Sequence, residues 1–569
     1  MLLKAVVQAI PTYAMSCFKL PITLCNDIEQ LIRKFWWGHR GNQRKIHWTK
    51  WSTLCLPKEL GGMGFKELQK FNDAMLAKQV WRLLEDKISL FHKFFKAKFF
   101  PKGNIFDAKE NKGSFAWRSI LKSRDVISKG AQWRVGNGED ILIFKDSWLP
   151  NLQQSKVQSF PTFLGTDAHV SVLIDKENRT WISDAIVNNF LPHEAMLIES
   201  IPISIVETKD KLFWPSNSDG LYSVKAGYRL LVNESLNPPD GHSLLSQPMK
   251  YWKVLWKLKI PNRTKTLLWR ATKDALPTRA NLMRRKVLMD STCQGCETEP
   301  KSTLHALWSC LKLKEVWAVH FESLKIRTHV CLSFLDVFIT CLEQPHNTAL
   351  FAMLIDQIWY RRNKLRLGEE AADLKLLNSR ARAALHEFQL ANTSPPKPPP
   401  VQTPIKWKPP PSEWVKINFD GAVFKEQAQA GLGSIIHNDR GLVMAAATQI
   451  IPLPTSVEMV EVLAARRALI FANELGFDKV ILEGDSEITI AAMKTDAYSA
   501  ASFGHIIADI KALSPQFNGL IFQHTHRQGN MVAHSLARNA CKFSPFCTWM
   551  EEVPLSSFAV YSAEKINTT

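Results

Sequence analysis

The sequence predicts a multidomain protein. A mainly helical, basic N-terminal body with short β segments and a cysteine–histidine knuckle precedes an α/β module built on a mixed five-stranded sheet. Three observations predict this. At 569 residues the chain is too long for one core. The stretch from Ser394 to Pro411 is so dense in proline that it reads as a semi-rigid spacer rather than helix or sheet. The charge also divides there. Of 72 Lys and Arg and 53 Asp and Glu, 12 and 16 fall from Glu413 onward, a balance of −4, which leaves 60 and 37, a balance of +23, before it. A basic body joined to a slightly acidic module suggests that the first holds a polyanion and the second does chemistry or docking. The plainer alternative is a solvated basic surface.

Taken in order, residues 1–113 show a helical pattern to about Leu84, broken at Gly61-Gly62-Met63-Gly64. Residues 114–249 form a connecting region of short alternating segments. One of them, Gln132 to Gly138, ends in Asn137-Gly138, a strong hairpin signal. Residues 250–393 return to helices around a cysteine–histidine cluster, and 394–412 are the linker. In residues 413–569, Trp414 to Phe424 alternates, and Gly431 to Met444 reads as a hairpin turning at Asn438 to Gly441. Val457 to Leu475 has helical spacing, Val480-Ile481-Leu482 is a buried strand, and Ser502 to Leu513 is helical. Leu520 to His524 is a strand, and Asn530 can cap a last helix through Lys542. A hairpin sheet continued by a crossover helix into a parallel strand gives a mixed α/β sheet. The 19 tryptophans could stack on bases, but in helical patterns they read as core.

Ten cysteines in a chain of this length do not make a disulfide scaffold, and most sit among apolar neighbours as reduced core thiols. The N-terminus is interrupted by Lys4, Gln8 and Pro11, a poor signal peptide, and no apolar run reaches bilayer length. The expectation is an intracellular protein of nucleus or cytoplasm, neither secreted nor in a membrane.

Asp420, Glu461 and Asp485 stand in settings that suit two-metal phosphodiester cleavage: the end of an alternating stretch, a helix, and the end of an apolar run. Magnesium takes a few carboxylates and keeps other positions for water and phosphate, and two such ions ~4 Å apart can stabilise attacking and leaving oxygens. Singly, Asp420 could be a turn aspartate before Gly421, Asp485 a helix cap, and Glu461 a solvated helix glutamate. Jointly they read as a metal site. Ile417-Asn418-Phe419-Asp420-Gly421-Ala422, Gly431-Leu432-Gly433, Glu461-Val462-Leu463-Ala464-Ala465, Glu483-Gly484-Asp485-Ser486 and Asn530-Met531-Val532-Ala533-His534-Ser535-Leu536-Ala537 resemble a plant-type ribonuclease H-like domain. That resemblance implies Mg²⁺, or Mn²⁺, at Asp420, Glu461 and Asp485, and cleavage of RNA in RNA–DNA hybrids. At the fourth catalytic position, where the best-known branch has aspartate, this chain has His534; His526 lies near the place of that branch's mobile histidine.

Cys293-x-x-Cys296, His305 and Cys310 offer three sulfurs and one imidazole, a set suited to tetrahedral structural zinc. The alternative is core cysteines, a redox pair and an unrelated histidine. With Trp252 to Pro261, Leu268-Trp269-Arg270-Ala271, Asp210-x-x-x-Trp214 and Trp133-Arg134-Val135-Gly136, this segment resembles the zinc-binding reverse-transcriptase region of plant LINE-type (non-LTR) retrotransposons. Lys301 departs from it, since many relatives carry an acidic residue there. No Asp-Asp dipeptide, as a polymerase hairpin of that lineage would need, occurs anywhere in the chain, nor does a P-loop or His-Glu-x-x-His. The resemblance therefore implies a retroelement-derived protein without a polymerase site, whose partners are RNA–DNA hybrid, RNA or DNA. A non-catalytic nucleic-acid-binding protein and a decayed retrotransposon remnant are the alternatives.

Overall fold

The largest aromatic side chains are spent on cores. Trp117, Trp148, Trp252, Trp269 and Trp317 are all fully buried, so these tryptophans are packing residues rather than base-stacking platforms. The structure, a computed structural model, describes residues 3–39, 41, 43–109, 113–150, 155–236, 249–343, 347–392, 407–496, 500–543 and 545–566. Two compact units share the chain: residues 1–76 with 231–400, and residues 77–230 with 401–569.

The first unit is helical. Ile22–Trp36, Met249–Lys257, Asn262–Thr272, Lys314–Arg327, Thr348–Arg366 and Leu377–Ala391 surround one apolar core. Trp308 and Trp317 lie 4.6 Å apart by ring centroid, and Phe351 packs 5.4 Å from Trp317. The glycine break has a steric cause. Gly61 holds φ +79°, and a Cβ there would lie 2.5 Å from the Trp252 ring. Its carbonyl accepts a 2.9 Å hydrogen bond from the Trp269 indole.

In the first part of the second unit, Gln132–Arg134 does not turn back at Asn137-Gly138 as the dipeptide predicts. It pairs antiparallel with the distant Lys211–Phe213. The Gly136 to Asp140 loop is held by one carboxylate instead. Asp210 accepts from the backbone N–H of Gly136 at 2.7 Å, Gly138 at 2.9 Å and Asp140 at 2.8 Å. A long-range acceptor for three loop amides replaces the local turn.

The C-terminal module follows the predicted order with three additions, the helix after Ser486 and a last strand and helix after Phe543. Its elements are β1 (Val415–Phe424), β2 (Gln429–His437), β3 (Val443–Pro452), α1 (Val457–Glu474), β4 (Lys479–Gly484), α2 (Glu487–Lys494), α3 (Gly504–Leu513), β5 (Gly519–His524), α4 (Met531–Asn539), β6 (Phe546–Met550) and α5 (Leu555–Ile566). The sheet order is β6-β3-β2-β1-β4-β5, six strands rather than five. The unforeseen β6 is an edge strand alternating between exposed and half-buried residues, so it carries little of the burial signal that marks a strand in sequence. β1, β2, β3 and β6 are antiparallel neighbours; β1–β4 and β4–β5 are parallel.

Two further expectations change. Asn530 precedes α4 but does not cap it, since its amide donates to the Phe419 carbonyl at 2.9 Å and its oxygen faces Asn418. The bulk of the linker lies outside the described residues, but Trp407 at its end is buried and donates to Asn418 Oδ1 at 2.9 Å. Within the same unit, the segment around Ser204 docks on α3. Buried Asp509 accepts from Ser204 Oγ at 2.5 Å, the amides of Ile205 and Val206, and Arg466 at 2.7 Å.

Candidate metal centres

Strand alternation puts Lys416, Asn418 and Asp420 on one face of β1. Asp420 pairs in register with Gly433 of β2. A Cβ on Gly433 would lie 2.4 Å from Ala537 N, so the bare glycine lets α4 lie directly on the strands. That close approach brings His534, one helical turn before Ala537, onto Asp420. On the other side, α1 begins with Ser456 capping Met459 N at 3.2 Å, and its second turn carries Glu461 inward. β4 runs parallel to β1 and ends at Gly484, so Asp485 emerges at the carboxyl end of the parallel strands, where sites in α/β sheets collect.

The ordinary readings of these three residues do not hold. Asp420 is buried within a strand rather than placed in a turn. Glu461 is buried rather than solvated. The cap of α2 is Ser486, which accepts from Thr489 N at 3.3 Å, not Asp485. Carboxylate oxygens of Asp420, Glu461 and Asp485 lie within 4.8 Å of one another.

The electrostatics are those of an anionic cluster in need of a cation. Burial raises the Glu461 carboxyl well above its ordinary range, and repulsion from Asp420 and Asp485 adds to the shift. Glu461 Oε2 is buried without a hydrogen-bond partner. Burial and Asp485 also raise Asp420, against the lowering effect of His534. The nearby Lys416 ammonium is engaged elsewhere, 3.3 Å from Glu483 in a buried pair. An oxygen-only donor set with an orphaned oxygen fits a hard divalent cation.

His534 lies against this cluster. Its Nδ1 lies 2.5 Å from Asp420 Oδ2, and Arg527 donates to its Nε2 at 3.2 Å. With Nε2 accepting, the proton sits on Nδ1 and is donated to Asp420. His526 is exposed. Beside it, His524, which the sequence reading passed over, has Nε2 3.2 Å from the Asp485 carbonyl oxygen. Only the strand's end at Asp485 could have signalled it.

In the first unit the knuckle residues converge as well. Ligand atoms of Cys293, Cys296, His305 and Cys310 lie within 4.8 Å of one another. His305 begins a π-helical turn, His305–Ser309, and Cys310 follows it, so the two ligands five residues apart face one point. His305 Nδ1 bonds Glu299 Oε2 at 2.8 Å, leaving Nε2 toward the sulfurs, 3.3 Å from Cys296 Sγ. A carboxylate that fixes the tautomer of a ligating imidazole is the usual outer support of a zinc site. Hydrogen bonds from Thr298 hold the Cys296 thiol down to about 6, whereas burial pushes Cys310 up to about 11, a penalty that a bound cation reverses. Glu299 was not singled out in the sequence; its distance of six residues from His305 carries no motif.

A family profile described as zinc-binding in reverse transcriptase matches residues 222–317, and one described as reverse transcriptase-like matches residues 418–540. An uncharacterized mitochondrial protein of Arabidopsis thaliana is 37% identical over 144 residues, which span 94% of that protein and 25% of this chain. The chain belongs to the same family as that protein, and it carries a zinc-binding segment of reverse transcriptase and a reverse transcriptase-like segment. A second Arabidopsis thaliana protein, provisionally named a ribonuclease H protein, is 26% identical over 562 residues, 95% of this chain and 88% of that one. The crystal structure of ribonuclease H1 from Halobacterium salinarum is 24% identical over 23% of this chain and 98% of its own, with a TM-score of 0.21. The four knuckle residues fall within the zinc-binding match; Asp420, Glu461, Asp485 and His534 fall within the reverse transcriptase-like match. Among the described residues, no helix is long and apolar enough to cross a membrane.

Proposed function

We propose that the ribonuclease H-like domain hydrolyses the RNA strand of RNA–DNA hybrids, and that the basic body holds the nucleic acid. The observation that carries this reading is the convergence of Asp420, Glu461 and Asp485, with Glu461 Oε2 buried and unpartnered. These three would hold Mg²⁺, or Mn²⁺, which would polarise the scissile phosphate and activate water. Asp420 and Asp485 would hold the ions, and Glu461 would help hold them and orient the attacking water. Cys293, Cys296, His305 and Cys310 would hold a structural zinc, since all four positions are filled by protein. The balance of +23 before Glu413 supports polyanion binding by the body.

One observation favours a second reading, binding without turnover. His534 gives Asp420 a proton where a fourth carboxylate would give a metal negative charge. A hybrid with a labelled RNA strand separates the two. The full chain should cut RNA, faster in Mn²⁺ than in Mg²⁺, and leave an all-DNA duplex intact for want of the 2′-hydroxyl. Asp420→Asn should lower the rate by about 100-fold or more, as loss of a transition-state stabiliser does. Equal rates for the two proteins would end the catalytic reading.

A further inference from the structure

The first unit holds a cavity of about 750 Å³ immediately beside the knuckle, walled by Cys293, Gly295 and Cys310 on one side and by the helix Thr348–Arg366 on the other. Its chemistry is one-sided. Arg279, Lys301, Lys312, Arg361, Arg362 and Arg366 line it, and no carboxylate lines it among the described residues. Six cations line one hollow, and burial first, then Arg366, holds the Arg362 guanidinium down to about 10. Three of the six have structural tasks: Arg279 pairs with Asp290, Arg361 donates to the Ala372 carbonyl and Arg362 to that of Pro277. The side chains of Lys301, Lys312 and Arg366 have no partner among the described residues. The floor is apolar, with Ile358 and Leu374 among its side chains.

We propose that this cavity binds unpaired nucleotides of a single-stranded RNA or DNA segment, with phosphates on Lys301, Lys312 and Arg366 and a base against the apolar floor. The inference rests on the reading of the body as a nucleic-acid holder and gives it a location. A hollow of this volume suits a ligand the size of one or two nucleotides. A duplex keeps its bases paired and stacked inside, so it could present only backbone at the rim. Single strands can turn a base inward, and a cationic groove with apolar faces is how unpaired strands are held. The adjoining knuckle fixes one wall, because Cys293 and Cys310 belong to both.

The test uses the full chain, a fluorescein-labelled oligonucleotide of about ten nucleotides and fluorescence anisotropy. Lys301→Glu with Arg366→Glu should weaken binding at least ~10-fold and make the slope of log affinity against log salt shallower by about two. Zinc content should be unchanged. An unlabelled single strand should compete better than a duplex of the same sequence, and inorganic phosphate should compete weakly. If the wild-type chain binds the oligonucleotide and the double variant binds it equally, with zinc intact, the cavity is not the site, although the body still binds nucleic acid. If the wild-type chain binds nothing, the reading of the body fails first and this proposal with it. Should the double variant misfold, a 4-thiouridine oligonucleotide cross-linked to the wild-type protein decides. Adducts in peptides covering 279–313 and 358–377 support the site, and adducts confined elsewhere overturn it.

Discussion

At the scale of single residues, Glu461 governs the cluster. Burial raises its carboxyl well above the ordinary range, with Asp420 and Asp485 adding to the shift. The sign follows from linkage. The protonated form contributes stability that is complete below the unfolded carboxylate range and is lost as pH rises through the higher folded value. A bound divalent ion offsets that loss by stabilising the ionised form. Thermal unfolding should therefore show a larger Mn²⁺-induced rise in Tm at pH 8 than at pH 5. Glu461→Gln, neutral and of similar size, should flatten the pH trend of the metal-free protein and shrink the metal effect. An identical Mn²⁺ shift at both pH values would contradict a metal site here. The three acidic residues were legible from their order along the chain, each at the end or on the face of a recognisable element. His534 was singled out only through the resemblance, and its contact with Asp420 was not legible. His534 meets Asp420 across 114 residues, and Asp509 meets Ser204 across 305; no local pattern encodes such pairs.

At the scale of elements, the close contact of α4 with β2 decides where His534 stands. The glycine pair at 431 and 433 was visible as a motif, but its meaning is steric. Cβ atoms there would lie 2.3 Å from Ala537 O and 2.4 Å from Ala537 N. Gly433→Ala should push α4 off the sheet, separate His534 from Asp420, and cost about 1–3 kcal/mol as overpacking does. Urea unfolding with unchanged midpoint would show that the helix yields freely and that the glycine is not required. The same scale explains the misread turn. Asn137-Gly138 has the chemistry of a hairpin, yet Asp210 gathers the amides of its loop and the strand before it finds a partner near residue 212. Tertiary acceptors outweigh local turn preference there. β6 escaped notice for the opposite reason: its exposed positions include apolar Phe546 and Met550, so its alternation in burial has no counterpart in residue type.

At the scale of the whole molecule, the linear order of segments does not equal the order of packing. Each unit is assembled from two separated stretches, 1–76 with 231–400 and 77–230 with 401–569. Hydrophobic periodicity reports which face of an element is buried but not against what, so this interleaving was invisible. The composition was more informative, since the cysteine–histidine spacing located the knuckle that sits against the core of the first unit. Because Cys293 and Cys310 belong to that core, metal binding should couple to folding. Freshly purified, reduced full chain should contain about one zinc, and chelation should lower the unfolding temperature of the first unit. Metal analysis finding none would remove the structural zinc.

We propose that Asp420, Glu461 and Asp485 form a hybrid-cutting centre which His534 attenuates. Neutral imidazole brings no negative charge and matches magnesium poorly, whereas manganese accepts nitrogen more readily. The measurement that bears on this most directly is single-turnover cleavage of an RNA–DNA hybrid by the His534→Asp protein in Mg²⁺ and in Mn²⁺, with hybrid binding measured in parallel. The account predicts that Mg²⁺-dependent cleavage rises above that of the wild-type chain and approaches the Mn²⁺ rate. A His534→Asp protein that binds the hybrid and cuts it in neither metal would contradict the account and leave a protein that binds without turnover.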